Sequence, residues 1–216
     1  AGRDRFRDGA LPPAGAGLEI MRSARERSRI VKQNAGASLI DLGDGVLAVE
    51  FHSKMNAIGG DAIEMLHAGT QEAARNFRAL VVGNESVNFS AGANLMLVLM
   101  EAQEGNWEEI DMMVRAFQGA TLALKYADVP VIVAPVGLAI GGGCEIVLHG
   151  DRVQAAAETY LGLVEVGVGL IPAGGGTKEM LIRCLESSPP GPQVDLLPYV
   201  QRAFETIAFG KVATSG

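Results

Sequence analysis

Cysteine is scarce in this chain: of 216 residues, only Cys144 and Cys184 carry thiols. Two thiols supply neither a disulfide framework nor a zinc-ligand cluster. Their scarcity fits a reducing compartment, so a cytoplasmic location is expected. The histidines are three, His52, His67 and His149, scattered without metal-ligand spacing, and no metal centre is expected. No apolar run reaches the ~18 residues of a membrane span. The charged start, Ala1-Gly2-Arg3-Asp4-Arg5-Phe6-Arg7-Asp8, lacks the apolar stretch of a signal peptide. Basic charge is in deficit, with 18 Lys and Arg against 25 Asp and Glu and a formal net charge of -7. Such a chain repels phosphate backbones, which argues against a nucleic-acid partner. An initiator Met is missing too, and this predicts an excised or processed piece of a longer polypeptide.

What is present is apolar and ordered. Hydrophobic residues make up 48% and charged residues 20%, the balance of a globular chain with one sizeable core. Residues 1–16 read as a linker. Residues 17–34 read as a basic docking helix, with Leu18, Met21, Ala24, Ile30 and Val31 giving a partly apolar face. A hairpin follows, 38–42 and 46–51, joined by Gly43-Asp44-Gly45. Helical spacing is predicted over 61–78, 107–126, 144–149, 177–185 and 195–208, and strands over 79–82, 131–134 and 151–157. A hairpin followed by alternating strand and helix indicates an α/β domain. The run 95–100, rich in Leu and Met, reads as packing, Cys144 as a small core residue, and Trp107 as a packing or interface residue.

Four segments could carry chemistry. Phe89-Ser90-Ala91-Gly92-Ala93-Asn94-Leu95 follows a strand, and its small residues let backbone N–H groups approach a ligand; it also reads as an ordinary strand-to-helix turn. Gly141-Gly142-Gly143-Cys144-Glu145 opens an apolar helix. Its unpaired N–H groups stand at the positive end of the helix dipole, and its glutamate is set among Ile146, Val147 and Leu148. Desolvation there would raise the carboxyl toward a useful acid–base range, although a first-turn glutamate is also simply favourable for a helix. Glu165, between Val164 and Val166, is a second carboxylate in an apolar loop, or a surface acid. The fourth segment, 167–178, is glycine-rich but places Lys178 after Thr177. It therefore fails the phosphate-loop pattern, and it fails the dinucleotide fingerprint as well.

In order and spacing, three of these stretches together resemble the enoyl-CoA hydratase/isomerase (crotonase) superfamily, from about residue 37 to about 210. They are Phe89-Ser90-Ala91-Gly92-Ala93-Asn94, Gly137-Leu138-Ala139-Ile140-Gly141-Gly142-Gly143-Cys144-Glu145, and Gly162-Leu163-Val164-Glu165-Val166-Gly167 through Thr177. Segments 34–46 and 51–60 are further similar to the C-terminal hydratase part of bacterial bifunctional 3-hydroxyacyl-CoA dehydrogenase/enoyl-CoA hydratase proteins. The resemblance implies a join over 1–34 and a crotonase-like core over 35–216, a spiral of ββα units that is shortened at its C-terminus. NAD would belong only to an upstream part that is not in this chain, and no cofactor is implied here.

The resemblance also implies an acyl-CoA thioester as substrate and addition of water across its 2,3 double bond in fatty-acid β-oxidation. Enoyl-CoA isomerisation and an inactive CoA-binding fragment are the alternatives. Ala93 and Gly142 match the oxyanion-hole positions, and Glu145 and Glu165 match the two acid–base glutamates. Lys54, Met55, Ala57, Ala91, Gly92 and Gly141 match positions that touch CoA or substrate. The Lys54-Met55-Asn56 loop is one residue shorter than the family's usual loop, and Asn94 stands where many members carry Asp. Homotrimers or hexamers are the implied assembly.

Overall fold

A computed structural model of the chain describes Met21, Arg25 and residues 29–191 and 194–214. The linker expected over 1–16 lies outside the described residues. Six strands form the larger sheet, in the order β1 (Ile30–Gln33), β2 (Ala37–Gly43), β3 (Val46–Phe51), β4 (Ala79–Gly83), β5 (Val131–Ala134) and β7 (Arg152–Val153). β1, β2 and β3 pair antiparallel, with β2 and β3 joined by the expected glycine turn. From β3 onward every pairing is parallel. A smaller sheet holds β6 (Gly137–Ile140), β8 (Thr159–Gly162) and β9 (Val212–Ala213), with β6 and β8 parallel.

The helix expected over 17–34 does not reach its end. Met21 and Arg25 are helical, but Ile30–Gln33 is an edge strand paired to β2. All four of its residues are exposed, so no burial alternation marked it in the sequence. The strand expected over 151–157 contracts to Arg152–Val153, because the chain leaves the larger sheet at once to feed β8 in the smaller one.

Two single bridges reveal the plan of the molecule. Ile58 bridges Ala93, and Ser90 bridges Ala139 of β6, both parallel. The smaller layer therefore continues through 58, 90–93, β6 and β8. This repeats beside the larger sheet the order β3, β4, β5, β7. Each turn of chain runs from a strand in one layer to a short strand in the other and then into a helix. The first turn ends in α1 (Gly60–Asn76), the second in α2 (Leu95–Glu104) and α3 (Trp107–Lys125), the third in α4 (Gly142–Leu148) and the fourth in α5 (Gly176–Glu186). α6 (Leu197–Ala208) packs on α5. This is the expected spiral of ββα units.

Apolar spacing drives the packing. α1 buries Ala62, Met65, Leu66, Gly69 and Ala73, a single helical face, against β2, β3 and β4. α3 buries Phe117, Ala120 and Leu124, with Glu108 and Glu109 in its first turn and Lys125 in its last, matching the dipole. Phe51, Phe89, Leu80, Val131 and Ile146 complete the same core. Cys144 is buried with Leu148 and Leu163, as expected of a small core residue. The Leu/Met run is corrected: Leu95, Met96, Leu97, Leu99 and Met100 lie on α2 with no residue of that helix buried, although the helix packs along α3. Trp107 is exposed. Among the described residues, no helix is long and apolar enough to cross a membrane.

Candidate active site

The site forms where the short strands of consecutive turns end. In the second turn, segment 88–93 is pinned from both sides. Ser90 N–H donates to the Leu138 carbonyl at 2.9 Å and Ile140 N–H to the Ser90 carbonyl at 3.2 Å. The buried Ser90 hydroxyl donates to the Asn56 carbonyl at 2.7 Å and accepts the Gly92 N–H at 3.0 Å. Ile58 N–H takes the Gly92 carbonyl at 2.9 Å, so the bridge at this point uses that carbonyl rather than the Ala93 amide.

The third turn meets it head-on. A Cβ added to Gly92, whose φ is +88°, would lie 3.0 Å from the Ile140 carbonyl and 3.3 Å from the Gly142 nitrogen. Only glycine fits that contact. Gly141 (φ +55°) caps the start of α4, and the first N–H groups of a helix have no acceptor within it. The turn carrying Ala93 thus abuts the helix start carrying Gly142. Ala91 is half-buried beside them, its N–H on the Met55 carbonyl at 3.2 Å.

Lys54, Met55 and Asn56 form a 3₁₀ turn that flanks this cradle. Met55 and Asn56 both have positive φ, 58° and 48°, conformations costly for residues with a Cβ. Asn56 holds the turn by donating its side-chain amide to the Asn88 carbonyl at 2.9 Å. Lys54 and Met55 face solvent, and Ala57 is half-buried.

Both glutamates come to the cradle. Glu145, in the first turn of α4, is 2% exposed. Gly176 N–H donates to its Oε1 at 2.8 Å, and the 174–176 backbone closes over it. Burial pushes its carboxyl up to about 7, aided by the charge of Glu165 and opposed by the N–H groups of Gly176 and Gly174. Glu165 follows β8 in the fourth turn and opens a 3₁₀ turn, Glu165–Val168. Its Oε1 is 3.4 Å from where a Cβ of Gly141 would stand, and its Oε2 is buried with no hydrogen-bond partner among the described residues. Burial raises this carboxyl as well. Gly141 N–H donates to the Gly162 carbonyl at 2.9 Å, locking the third turn to the fourth.

Ala93, Gly142, Glu145 and Glu165, chosen from the sequence, thus share one cradle, with Ala91, Gly92 and Gly141 in its walls; Lys54, Met55 and Ala57 lie on the adjoining turn. Sequence reasoning missed Asn56, Asn88 and Ser90, whose polar types carry no positional signal, and the grip of Gly174 and Gly176 on Glu145. Two protonatable carboxyls, one buried and one half-buried, beside clustered backbone N–H groups can exchange protons with a ligand while those donors stabilise charge on it. Among the described residues, no group of three or more His, Cys, Asp or Glu could hold a metal ion.

A family model described as enoyl-CoA hydratase/isomerase matches residues 41–188. The chain is 48% identical over 195 residues to a probable 3-hydroxyacyl-CoA dehydrogenase of Bacillus subtilis (strain 168), covering 90% of this chain and 24% of that protein. It is 36% identical over 158 residues to a putative fatty acid oxidation complex trifunctional enzyme of Rickettsia felis, covering 73% and 22%. The chain therefore spans about a quarter of the length of these curated relatives. A crystal structure of an enoyl-CoA hydratase from Bacillus anthracis superposes with a TM-score of 0.67 at 26% identity, over 84% of this chain and 65% of that one. A Geobacillus kaustophilus structure with a TM-score of 0.71 at 18% identity, over 85% and 64%, shares the fold.

Proposed function

The chain belongs to the enoyl-CoA hydratase/isomerase family, and on that premise we propose that its reaction is addition of water across the 2,3 double bond of an enoyl-CoA thioester. The observation that carries this reading is the pair of carboxyls, Glu145 buried and Glu165 half-buried, both raised and both on one glycine cradle. Hydration needs a proton removed from water and a proton delivered to the α-carbon, so two proton-handling groups serve it.

In this reading the thioester oxygen accepts the N–H groups of Ala93 and Gly142. Water oxygen bonds to the β-carbon, its proton passing to an ionised glutamate. The π electrons move onto the thioester as an enolate, which the two N–H donors stabilise. The other glutamate, protonated, delivers its proton to the α-carbon, and the carbonyl re-forms. Each such donor is worth about 3 kcal/mol in related chemistry. The Lys54, Met55 and Ala57 turn flanks the route by which the CoA portion would enter. Isomerisation moves one proton between two carbons, and one carboxyl suffices for it.

The similarities to the Bacillus dehydrogenase and to the Rickettsia fatty acid oxidation complex enzyme support a place within a larger 3-hydroxyacyl-CoA dehydrogenase polypeptide acting in fatty-acid oxidation. Trimers or hexamers are the assembly the family implies, and the exposed apolar stripe of α6 supports association of some kind. Loss of ultraviolet absorbance from crotonyl-CoA tests the reaction. Turnover is expected, and Glu145→Gln and Glu165→Gln are each expected to lower kcat by about 10²–10⁴-fold. Full hydration by Glu145→Gln would overturn the two-carboxyl mechanism, dependence on Glu165 alone in an assay of double-bond migration would favour isomerisation, and no turnover in the parent chain would leave the reading without its reaction.

A further inference from the structure

His149 closes α4 four residues after Glu145 and is 1% exposed. Its Nδ1 is 2.6 Å from the Glu145 carbonyl oxygen. A carbonyl only accepts, so Nδ1 carries the proton and Nε2 presents a lone pair. That Nε2 is buried, has no hydrogen-bond partner among the described residues, and stands 3.7 Å from Glu179 Oε1. Two acceptors face each other there, and the carboxylate is already engaged. Lys125 Nζ holds both its oxygens at 2.6 and 2.7 Å, and Lys178 Nζ lies 2.9 Å from Oε1. The ring's other contact is with the loop over the active site. A Cβ on Gly175 would lie 2.8 Å from both Cε1 and Nε2 of the ring. Gly175 sits between Gly174 and Gly176, the residues whose N–H groups bind the Glu145 carboxyl.

We propose that His149 is a positioning residue for Glu145: a single imidazole fixes both the helix turn that carries the carboxyl and the loop whose amides grip it. The proposal rests on Glu145 being a working carboxyl, as argued above. Other contacts hold the two sides in register without replacing the ring. Thr121 anchors the Gly174 carbonyl from α3 at 2.8 Å, and Arg183 anchors the Leu148 carbonyl from α5 at 2.7 Å. The charged groups around His149 are Lys125 of α3, Lys178, Glu179, Arg183 and Glu186 of α5, and Asp151 just after α4. Of these, Lys125, Glu179, Arg183, Glu186 and Asp151 line, with the ring, a cavity of about 220 Å³ behind the site. Burial and the two lysines favour the neutral ring, while the hydrogen bond to the Glu145 carbonyl and the charge of Glu179 oppose them. A neutral ring keeps its spacing, whereas an imidazolium would swing its new N–H toward Glu179 and off Gly175.

The test reads Glu145 directly and needs no turnover. The chain is labelled with carboxyl-¹³C glutamate, the Glu145 resonance is assigned by its loss in Glu145→Gln, and its titration is followed by NMR. His149→Asn keeps a donor near the position of Nδ1 but removes the ring edge from Gly175. With the loop released, its amides hold the carboxylate less well, and the Glu145 midpoint is expected to move up by about half a pH unit or more. An unchanged midpoint in the folded variant overturns the proposal. Should His149→Asn fail to fold, Glu179→Gln carries the same test, because its amide can donate to Nε2 and draw the ring off Gly175. An unchanged Glu145 midpoint there overturns the proposal equally. Absent crotonyl-CoA turnover with a shifted midpoint would instead count against the hydratase reading alone.

Discussion

At the scale of single residues, the molecule holds an ionisable group where water cannot reach it well. The Glu145 carboxyl stands at about 7 against an ordinary 4.5, so the folded chain binds a proton more tightly than the unfolded one. Between those values the folded state holds more protons, and stability falls as pH rises. The stabilisation is complete below about 4.5 and is lost as pH climbs through about 7. The full span corresponds to about 3 kcal/mol. Chemical denaturation of the parent chain and of Glu145→Gln across pH 4.5–8 checks this. The parent should lose stability over that window relative to the variant, and parallel curves would refute it. Both glutamates were legible in the sequence because each stands among apolar neighbours: Glu145 before Ile146 and Val147, Glu165 between two valines. His149 was not, since a lone histidine at a helix end gives no sign of which backbone its ring will meet.

At the scale of elements, the hydroxyl of Ser90 joins three pieces of chain that touch nowhere in sequence: segment 88–93, the Asn56 turn, and through Gly92 the start of α4. Ser90→Ala leaves a buried carbonyl and a buried N–H without that partner, at a cost of about 2 kcal/mol. A urea titration should show this, together with a fall in kcat larger than any rise in KM if the proposed reaction holds, because the displaced part is the turn that carries the Ala93 amide. Unaltered stability would mean that water replaces the hydroxyl. The long helices α1 and α3 and the strands β3, β4 and β5 could be read from periodicity and from their flanking glycine and proline. The strands that build the site could not. β6 and β8 are four residues each with glycine at one end, and the bridging contacts at Ile58 and Ser90 are single pairs. Elements that short are created by their neighbours, so their sequences carry almost no intrinsic preference. The edge strand β1 escaped for the opposite reason. Its exposed residues bury nothing, and a helical reading of the basic stretch ran straight through it.

At the scale of the whole molecule, apolar surface is left uncovered. Leu197, Val200 and Phe204 line one side of α6 and are 58%, 41% and 69% exposed. Stripes of this kind drive association in water. Sedimentation velocity should find species larger than the single chain, and Phe204→Glu should shift the distribution toward it. A parent chain that stays monomeric at every concentration would remove self-association as the explanation. The interlocked turns have a further consequence, for motion. Gly141 N–H is bonded to the Gly162 carbonyl, so the spacing of the two carboxyl-bearing segments is a property of main chain and not of side-chain rotamers. Under the proposed reaction, a cradle fixed in this way would need little reorganisation during the chemical step. The Gly141 amide should therefore exchange with deuterium only in openings that separate the third turn from the fourth, which are among the rarest excursions of the native ensemble.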